Sequence, residues 1–249
     1  VQCVIGRAGT GKTTTMRTAA TAWIAAGHRV IGTAVKREAA RHLAEGAGIP
    51  TETVAWFLAR RNKPSLPLDD QTVLITDEAS TLSDRDLDAL LTIAAERGAT
   101  VRLVGDPAQH GAVAAGGMFR HLCELHSDQT PELTSTHRLT DPTERRAVDA
   151  LRRGDIDSAL EQLETAGRLH IADDEIGLYV GMLQRWWTAH LDGDDHPMVD
   201  RRHHTRRQLN RLARQIRRAH GELGDAELSA TGDRRFAAGD RVVARMAAR

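Results

Sequence analysis

Residues Gly6-Arg7-Ala8-Gly9-Thr10-Gly11-Lys12-Thr13 set three glycines, a lysine and a hydroxyl at a spacing that can fold backbone around phosphate oxygens. Triphosphate oxygens need several converging N–H donors. Glycine allows that approach through its small size and tolerance of positive φ, and a helix N-terminus behind the loop adds partial positive charge. Every fixed position of the G-x-x-x-x-G-K-[ST] pattern is met, between an apolar run at 1–5 and a helix-compatible stretch at 12–26. Only three of the 34 basic residues are lysines (Lys12, Lys36 and Lys63), and one of them stands in this loop. There a compact ammonium on a flexible stem would reach the β- and γ-phosphates. The expected nucleotide site is thus lined by Gly6, Gly9, Thr10, Gly11, Lys12, Thr13 and Thr14.

Two further clusters could complete such a site. The run Val73-Leu74-Ile75-Thr76 reads as a buried strand ending in Asp77-Glu78. Parallel sheets hold ligands at strand C-termini, so one carboxylate, Asp77, suits Mg²⁺ shared with the Thr13 hydroxyl, and Glu78 suits orienting and deprotonating a water. The same pair is also what an exposed helix start would carry. A later strand, Val101 to Val104, runs into Gly105-Asp106-Pro107-Ala108-Gln109. The amide of Gln109, donor and acceptor at once, could touch a γ-phosphate and a water together; an ordinary turn with a solvent-facing glutamine reads alike.

The elements that must position these groups alternate. Short β-branched runs at 1–5, 29–33, 73–76 and 101–104 are separated by helical patterns, which predicts an α/β fold with a parallel sheet. Ser83 with Asp86 resembles a capping box before Leu87, Leu90, Leu91 and Ala94. A second unit is expected from residue 131: a short segment at 132–134, a helix-rich stretch with Pro142 near its start, a strand at 168–171, and helices to about 190 and over 205–219. From 221 on, short strands are expected, the last at 239–243.

Composition bounds the rest. The 249 residues carry 34 basic and 34 acidic side chains and are 41% hydrophobic, enough for a real core and without a global field toward nucleic acid or membrane. Any basic surface must be local, and residues 201–220 provide one, with eight arginines, three histidines and no acid. Arg207, Arg211, Arg214 and Arg218 share one helical face, which could bind DNA phosphates or could be a solvated surface. Trp56, Phe57, Trp186 and Trp187 read as core rather than as platforms for bases. Two cysteines, Cys3 and Cys123, lack metal-ligand spacing and read as buried thiols of a reducing compartment. Neither a long apolar span nor a signal arrangement is present, so the expectation is cytoplasmic. A first residue Val1 only five positions before the loop reads as a fragment.

Taken together, the loop, Asp77-Glu78-Ala79-Ser80 and Gly105-Asp106-Pro107-Ala108-Gln109 resemble motifs I to III of superfamily 1 helicases of the RecD-like branch. Gly32-Thr33-Ala34, the segment from Glu45 to Ile49, the segment from Ala112 to Gly117 and Leu151-Arg152-Arg153-Gly154-Asp155 resemble the helicase part of actinobacterial conjugative relaxases of the TraI/TrwC type. The resemblance runs along nearly the whole chain. It implies a P-loop NTPase with a RecA-like ATP-binding domain at 1–130, a partial second RecA-like domain at 131–220 and the start of an SH3-like insertion at 221–249. It further implies 5′ to 3′ translocation on single-stranded DNA driven by ATP and Mg²⁺. By the same resemblance Lys12 and Thr13 hold phosphate and metal, Asp77 holds the metal, Glu78 the catalytic water and Gln109 the γ-phosphate. Arg138 matches an arginine reaching the γ-phosphate from the second domain, though a surface arginine paired with Asp141 fits the same residues. Departures from the pattern are Lys36-Arg37 and Leu139. The glutamine motif and motifs V and VI would lie outside residues 1–249, so weak hydrolysis and no unwinding are expected of this stretch alone. Two other readings stay open: a P-loop small-molecule kinase, and a nucleotide- or DNA-binding remnant without turnover.

Overall fold

The computed structural model describes residues 1–7, 9–136, 139–230 and 234–242. It divides into two units, Val1–Ala166 and Gly167–Arg249.

The first unit opens with β1 (Gln2–Gly6), the phosphate-loop segment and α1 (Lys12–Ala25). There follow β2 (Arg29–Ala34), α2 (Arg37–Ala47), β3 (Thr51–Thr53), α3 (Val54–Ala59) and β4 (Thr72–Asp77). Next come α4 (Asp84–Glu96), β5 (Thr100–Gly105), α5 (Met118–Leu125) and β6 (Glu132–Leu133). The unit closes on α6 (Pro142–Arg153) and α7 (Ile156–Thr165). Its six strands form one sheet in the order β3-β2-β4-β5-β1-β6, every pairing parallel.

A strand's side chains alternate between faces, and here neighbours in sequence enter different cores. Leu74 and Leu103 join Phe57, Leu87, Leu90 and Phe119 on one side, whereas Val73, Ile75 and Val104 join Met16, Ala20 and Leu43 on the other. Helices α3, α4 and α5 therefore cover one face and α1 and α2 its opposite. That double cover is why these strands read as unbroken apolar runs, and the α/β parallel-sheet class expected from the sequence is the fold. Ser83 caps α4 by accepting from the Asp86 N–H at 3.1 Å, as its sequence suggests.

The strands β3 and β6 and the helix α3 are too short to show a period. The boundary also differs from the sequence expectation at 130/131. Glu132 and Leu133 pair with Ile5 and Gly6, so β6 extends the first sheet, and α6 and α7 stay with it. Asp141 caps α6 by accepting from the Thr143 N–H at 2.7 Å, with Pro142 at its first turn, and Asp155 caps α7 by accepting from the Ser158 N–H at 3.2 Å.

The second unit contains α8 (Glu175–Leu191), α9 (His203–Ala219) and an antiparallel hairpin of β7 (Glu227–Ala230) and β8 (Arg234–Ala237). Tyr179, Leu183, Leu209 and Ala213 form its core, with Trp186 packed against them. The strand expected at 168–171 is not formed: these residues are irregular and pair with no sheet. Nor is there a strand over 239–242, where a turn through Gly239 and Asp240 follows β8; Val243 lies outside the described residues.

Candidate nucleotide-binding site

The phosphate-loop segment is closed by short local bonds. Thr10 donates from both its N–H (3.3 Å) and its hydroxyl (2.8 Å) to the Arg7 carbonyl. Gly9 and Gly11 sit at φ 76° and 74°, left-handed backbone that other residues rarely adopt. Gly11 caps α1 without a side-chain hydrogen bond, and no acid occupies the first turn. The positive end of α1 is therefore neither capped nor neutralised by its own side chains, as an anion site needs. Gly6 is required sterically, because a Cβ there would stand 2.4 Å from Lys12 Cγ. The Lys12 ammonium curls back over the loop and donates to the carbonyls of Gly6 (2.8 Å) and Arg7 (3.3 Å). Thr13 is half-buried on α1, its methyl in the space that a Cβ at Gly46 of α2 would fill, at 2.2 Å. Thr14 is exposed. Ala8 lies outside the described residues.

Strand order brings the other two clusters to the same edge. In a parallel sheet all C-termini leave one side, and β5 lies between β1 and β4. Two interstrand spacings put the acidic pair roughly 10 Å from the phosphate loop, with the Gln109 loop emerging between them. Burial pushes the Asp77 carboxyl up. Its bond from the Glu78 N–H (2.9 Å) and the Lys12 charge pull it down and the neighbouring Glu78 charge adds to the rise, leaving it above the usual carboxylate range. Glu78 is exposed, and it is the one non-glycine residue at positive φ (52°) among those described. Left-handed backbone costs such a residue about 1–2 kcal/mol. The Lys12 charge thus acts on the Asp77 carboxyl.

Gln109 is exposed, and its Nε2 donates to Asp106 Oδ2 at 3.1 Å. Asp106 itself is 2% exposed and receives a two-pronged contact from Arg152 of α6, at 2.6 and 2.9 Å, and the Ala108 N–H at 3.1 Å. Burial raises its pKa, but these donors outweigh burial, and the carboxyl ends below its ordinary value. This pair was not legible from sequence: Asp106 looked like a turn residue, and its partner is 46 residues away. Arg138 lies outside the described residues.

The chemistry of this donor set fits a magnesium nucleotide. A half-buried carboxylate that is costly to ionise gains from a nearby cation. No group of three or more His, Cys, Asp or Glu able to hold a metal occurs among the described residues. A cation bound by Asp77 and Thr13 would therefore complete its shell with phosphate and water, as Mg²⁺ commonly does.

The basic helix of the second unit is not the uniform face its sequence suggests. Arg214 is held by Asp240 and Glu227, both at 3.0 Å, and Arg218 by Glu227. Arg207 and Arg211 are exposed and have no ion pair among the described residues. They line an open cavity of about 1180 Å³ with Trp186 and His190. The expected buried thiols are present: Cys3 and Cys123 are buried and unbridged, and burial pushes Cys123 up to about 12. No helix among the described residues is long and apolar enough to cross a membrane.

The chain is similar to conjugal transfer proteins. It is 33% identical over 248 residues to the conjugal transfer protein TraA of Rhizobium radiobacter, 32% over 248 to that of Agrobacterium fabrum, and 32% over 245 to the probable conjugal transfer protein TraA of Sinorhizobium fredii. Each alignment covers 98% of this chain but 22% of the relative, so the chain spans about a fifth of their length. A crystal structure of a DNA replication initiation factor aligns at 16% identity and a TM-score of 0.32, covering 86% of this chain and 73% of that one, too distant to bear on function. The AAA domain model matches residues 1–174, the whole sheet with its phosphate loop included, and the chain therefore belongs to the AAA domain family of P-loop proteins.

Proposed function

We propose that this chain is the ATP-binding and ATP-hydrolysing part of a DNA-translocating, helicase-type protein of conjugal transfer. The observation that carries this reading is the convergence of the loop, Asp77-Glu78 and Gln109 on one sheet edge in the order β4-β5-β1. Similarity to the conjugal transfer relatives supports the process; ATP, Mg²⁺ and single-stranded DNA as ligands, the RecD-like branch and the relaxase context belong to the proposal. So does the assignment of residues 131–220 to part of a second RecA-like domain, with 221–249 opening an SH3-like insertion.

In this reading Lys12 leaves the Gly6 and Arg7 carbonyls for the β- and γ-phosphates, and the N–H groups at the start of α1 hold the remaining oxygens. Thr13 and Asp77 would hold Mg²⁺, which when bound would neutralise phosphate charge. Exposed Glu78 accepts the proton of the attacking water. Gln109 keeps one amide hydrogen and its carbonyl available to γ-phosphate and water while donating the other hydrogen to Asp106. By the family resemblance, Arg138 would supply charge to the transition state.

ATP binding and turnover, each with and without single-stranded DNA, test the reading. Lys12→Ala should lose binding; Glu78→Gln should retain it and lose turnover by about 10²–10⁴-fold. Unchanged nucleotide affinity in Lys12→Ala by calorimetry would remove the site assignment. Binding without any turnover would favour the non-catalytic remnant, and phosphate transfer to a nucleoside would favour a kinase.

A further inference from the structure

We infer that Arg152 is a positioning residue for hydrolysis: through Asp106 it sets the Gln109 amide, and with Asp149 on the same helix it ties the Gln109 loop to the phosphate loop. This inference rests on the hydrolytic reading above.

The Asp106 side chain is 0% exposed and accepts four hydrogen bonds, two from Arg152 and one each from the Ala108 N–H and Gln109 Nε2. A glutamine amide is ordinarily free to present either end. An ionised carboxylate only accepts, so the end facing Asp106 must be the NH₂. That fixes the otherwise two-fold orientation of Gln109 and leaves its carbonyl uncommitted, the acceptor that an attacking water requires. The guanidinium is what keeps a fully enclosed Asp106 ionised. Without it the carboxyl would tend to take up a proton, gain a donor of its own and no longer select one end of the amide.

Helix α6 extends the connection. Asp149 and Arg152 are three residues apart and so share a face. Asp149 accepts from Arg7 of the phosphate loop at 2.9 Å, and Arg7 also donates to Glu132 of β6 at 3.0 Å. One side of α6 thus grips both loops that would surround the γ-phosphate, while Ala147 and Ala150 are buried beneath it. A shift at Arg7 on nucleotide binding would reach Gln109 through a rigid helix.

The test is a double-mutant cycle on hydrolysis by the full chain, with Lys12→Ala as control. Gln109→Ala and Arg152→Ala are each expected to lower kcat by roughly 10²-fold, with KM for ATP within about twofold. The double variant should fall no further, since the two residues act as one unit. A packing role alone would instead multiply the two losses, or raise KM. A second readout needs no activity: the ¹⁵N–¹H signals of the Gln109 side chain in the nucleotide-free protein. They should be shifted and protected in the wild type, collapse to free-amide values in Arg152→Ala and recover partly in Arg152→Lys. If Arg152→Ala fails to fold, Arg152→Lys is read by the same two measurements. A wild type without hydrolysis, or one matched by Lys12→Ala, overturns the hydrolytic reading and the role in turnover with it; the amide signals then decide the structural half. Signals unchanged by either Arg152 variant, or multiplicative losses in the cycle, overturn the proposal.

Discussion

Asp77 is the residue at which stability and function oppose each other. Burial outweighs the help it receives from the Glu78 N–H and Lys12, so its carboxyl binds a proton more tightly in the folded chain than in the unfolded one. A raised folded-state pKa contributes stability below the unfolded value near 4 that is lost as pH rises through the folded value. Asp77→Asn keeps the shape and the acceptor for the Glu78 N–H and removes that loss. We predict that at neutral pH, without metal or nucleotide, Asp77→Asn melts a few degrees above the wild type, the effect of about 1 kcal/mol in a chain of this size. The gain should vanish below about pH 4, where both forms are neutral. Mg²⁺-dependent nucleotide binding should weaken in the same variant. A melting temperature below the wild type at neutral pH would show that Asp77 is not strained by burial. The local sequence announced the carboxylate pair, since an apolar strand ending in two acids is conspicuous; the left-handed turn at Glu78 was not announced, because no glycine marks it.

At the scale of elements, the close approach of α1 and α2 is set by Gly46, whose missing Cβ makes room for the Thr13 methyl while its carbonyl accepts from Arg17 at 2.7 Å. Alanine at 46 has two opposed effects. It favours the helix by about 1 kcal/mol and overpacks the contact by about 1–3 kcal/mol, so the melting temperature should change little or fall modestly. Thr13 must yield, however, and with it the hydroxyl assigned to Mg²⁺. We predict that Gly46→Ala raises the Mg²⁺ concentration needed for half-maximal nucleotide binding by roughly tenfold, equivalent to about 1.4 kcal/mol, with metal-free ADP affinity unchanged. Equal loss with and without metal would mean that the loop as a whole, rather than Thr13, had moved. Periodicity made the long helices and central strands readable. The three-residue β3 and two-residue β6 carry no period, and they exist because neighbouring strands hold out unpaired hydrogen-bonding groups.

At the scale of the whole chain, a net charge of zero conceals an uneven distribution. Arginines of α9 that a helical projection treats as equal are divided by the hairpin: Glu227 and Asp240 engage Arg214 and Arg218 and leave Arg207 and Arg211. If single-stranded DNA binds this face, only the second pair has charge to release counterions. We predict that Arg207→Ala with Arg211→Ala lowers the slope of log affinity against log salt by about 1.4, from roughly 0.7 per phosphate contact. Arg218→Ala should leave the slope unchanged. A slope indifferent to the Arg207 and Arg211 pair would remove α9 from any DNA interface.

The sequence by itself determined the class of fold and the chemistry of the phosphate loop. Glycine spacing, apolar alternation and strand-terminal acids are local properties whose physical meaning does not depend on distant residues. The tertiary structure decided which of those local features meet. Placing β5 between β1 and β4 set the Asp106-Gln109 loop to leave the sheet between the strands that carry the phosphate loop and Asp77, and β6 joined α6 to the first unit so that Arg152 could enclose Asp106. An ion pair 46 residues apart depends on sheet order, and sheet order is settled by the packing of both faces at once, which no window of the sequence contains.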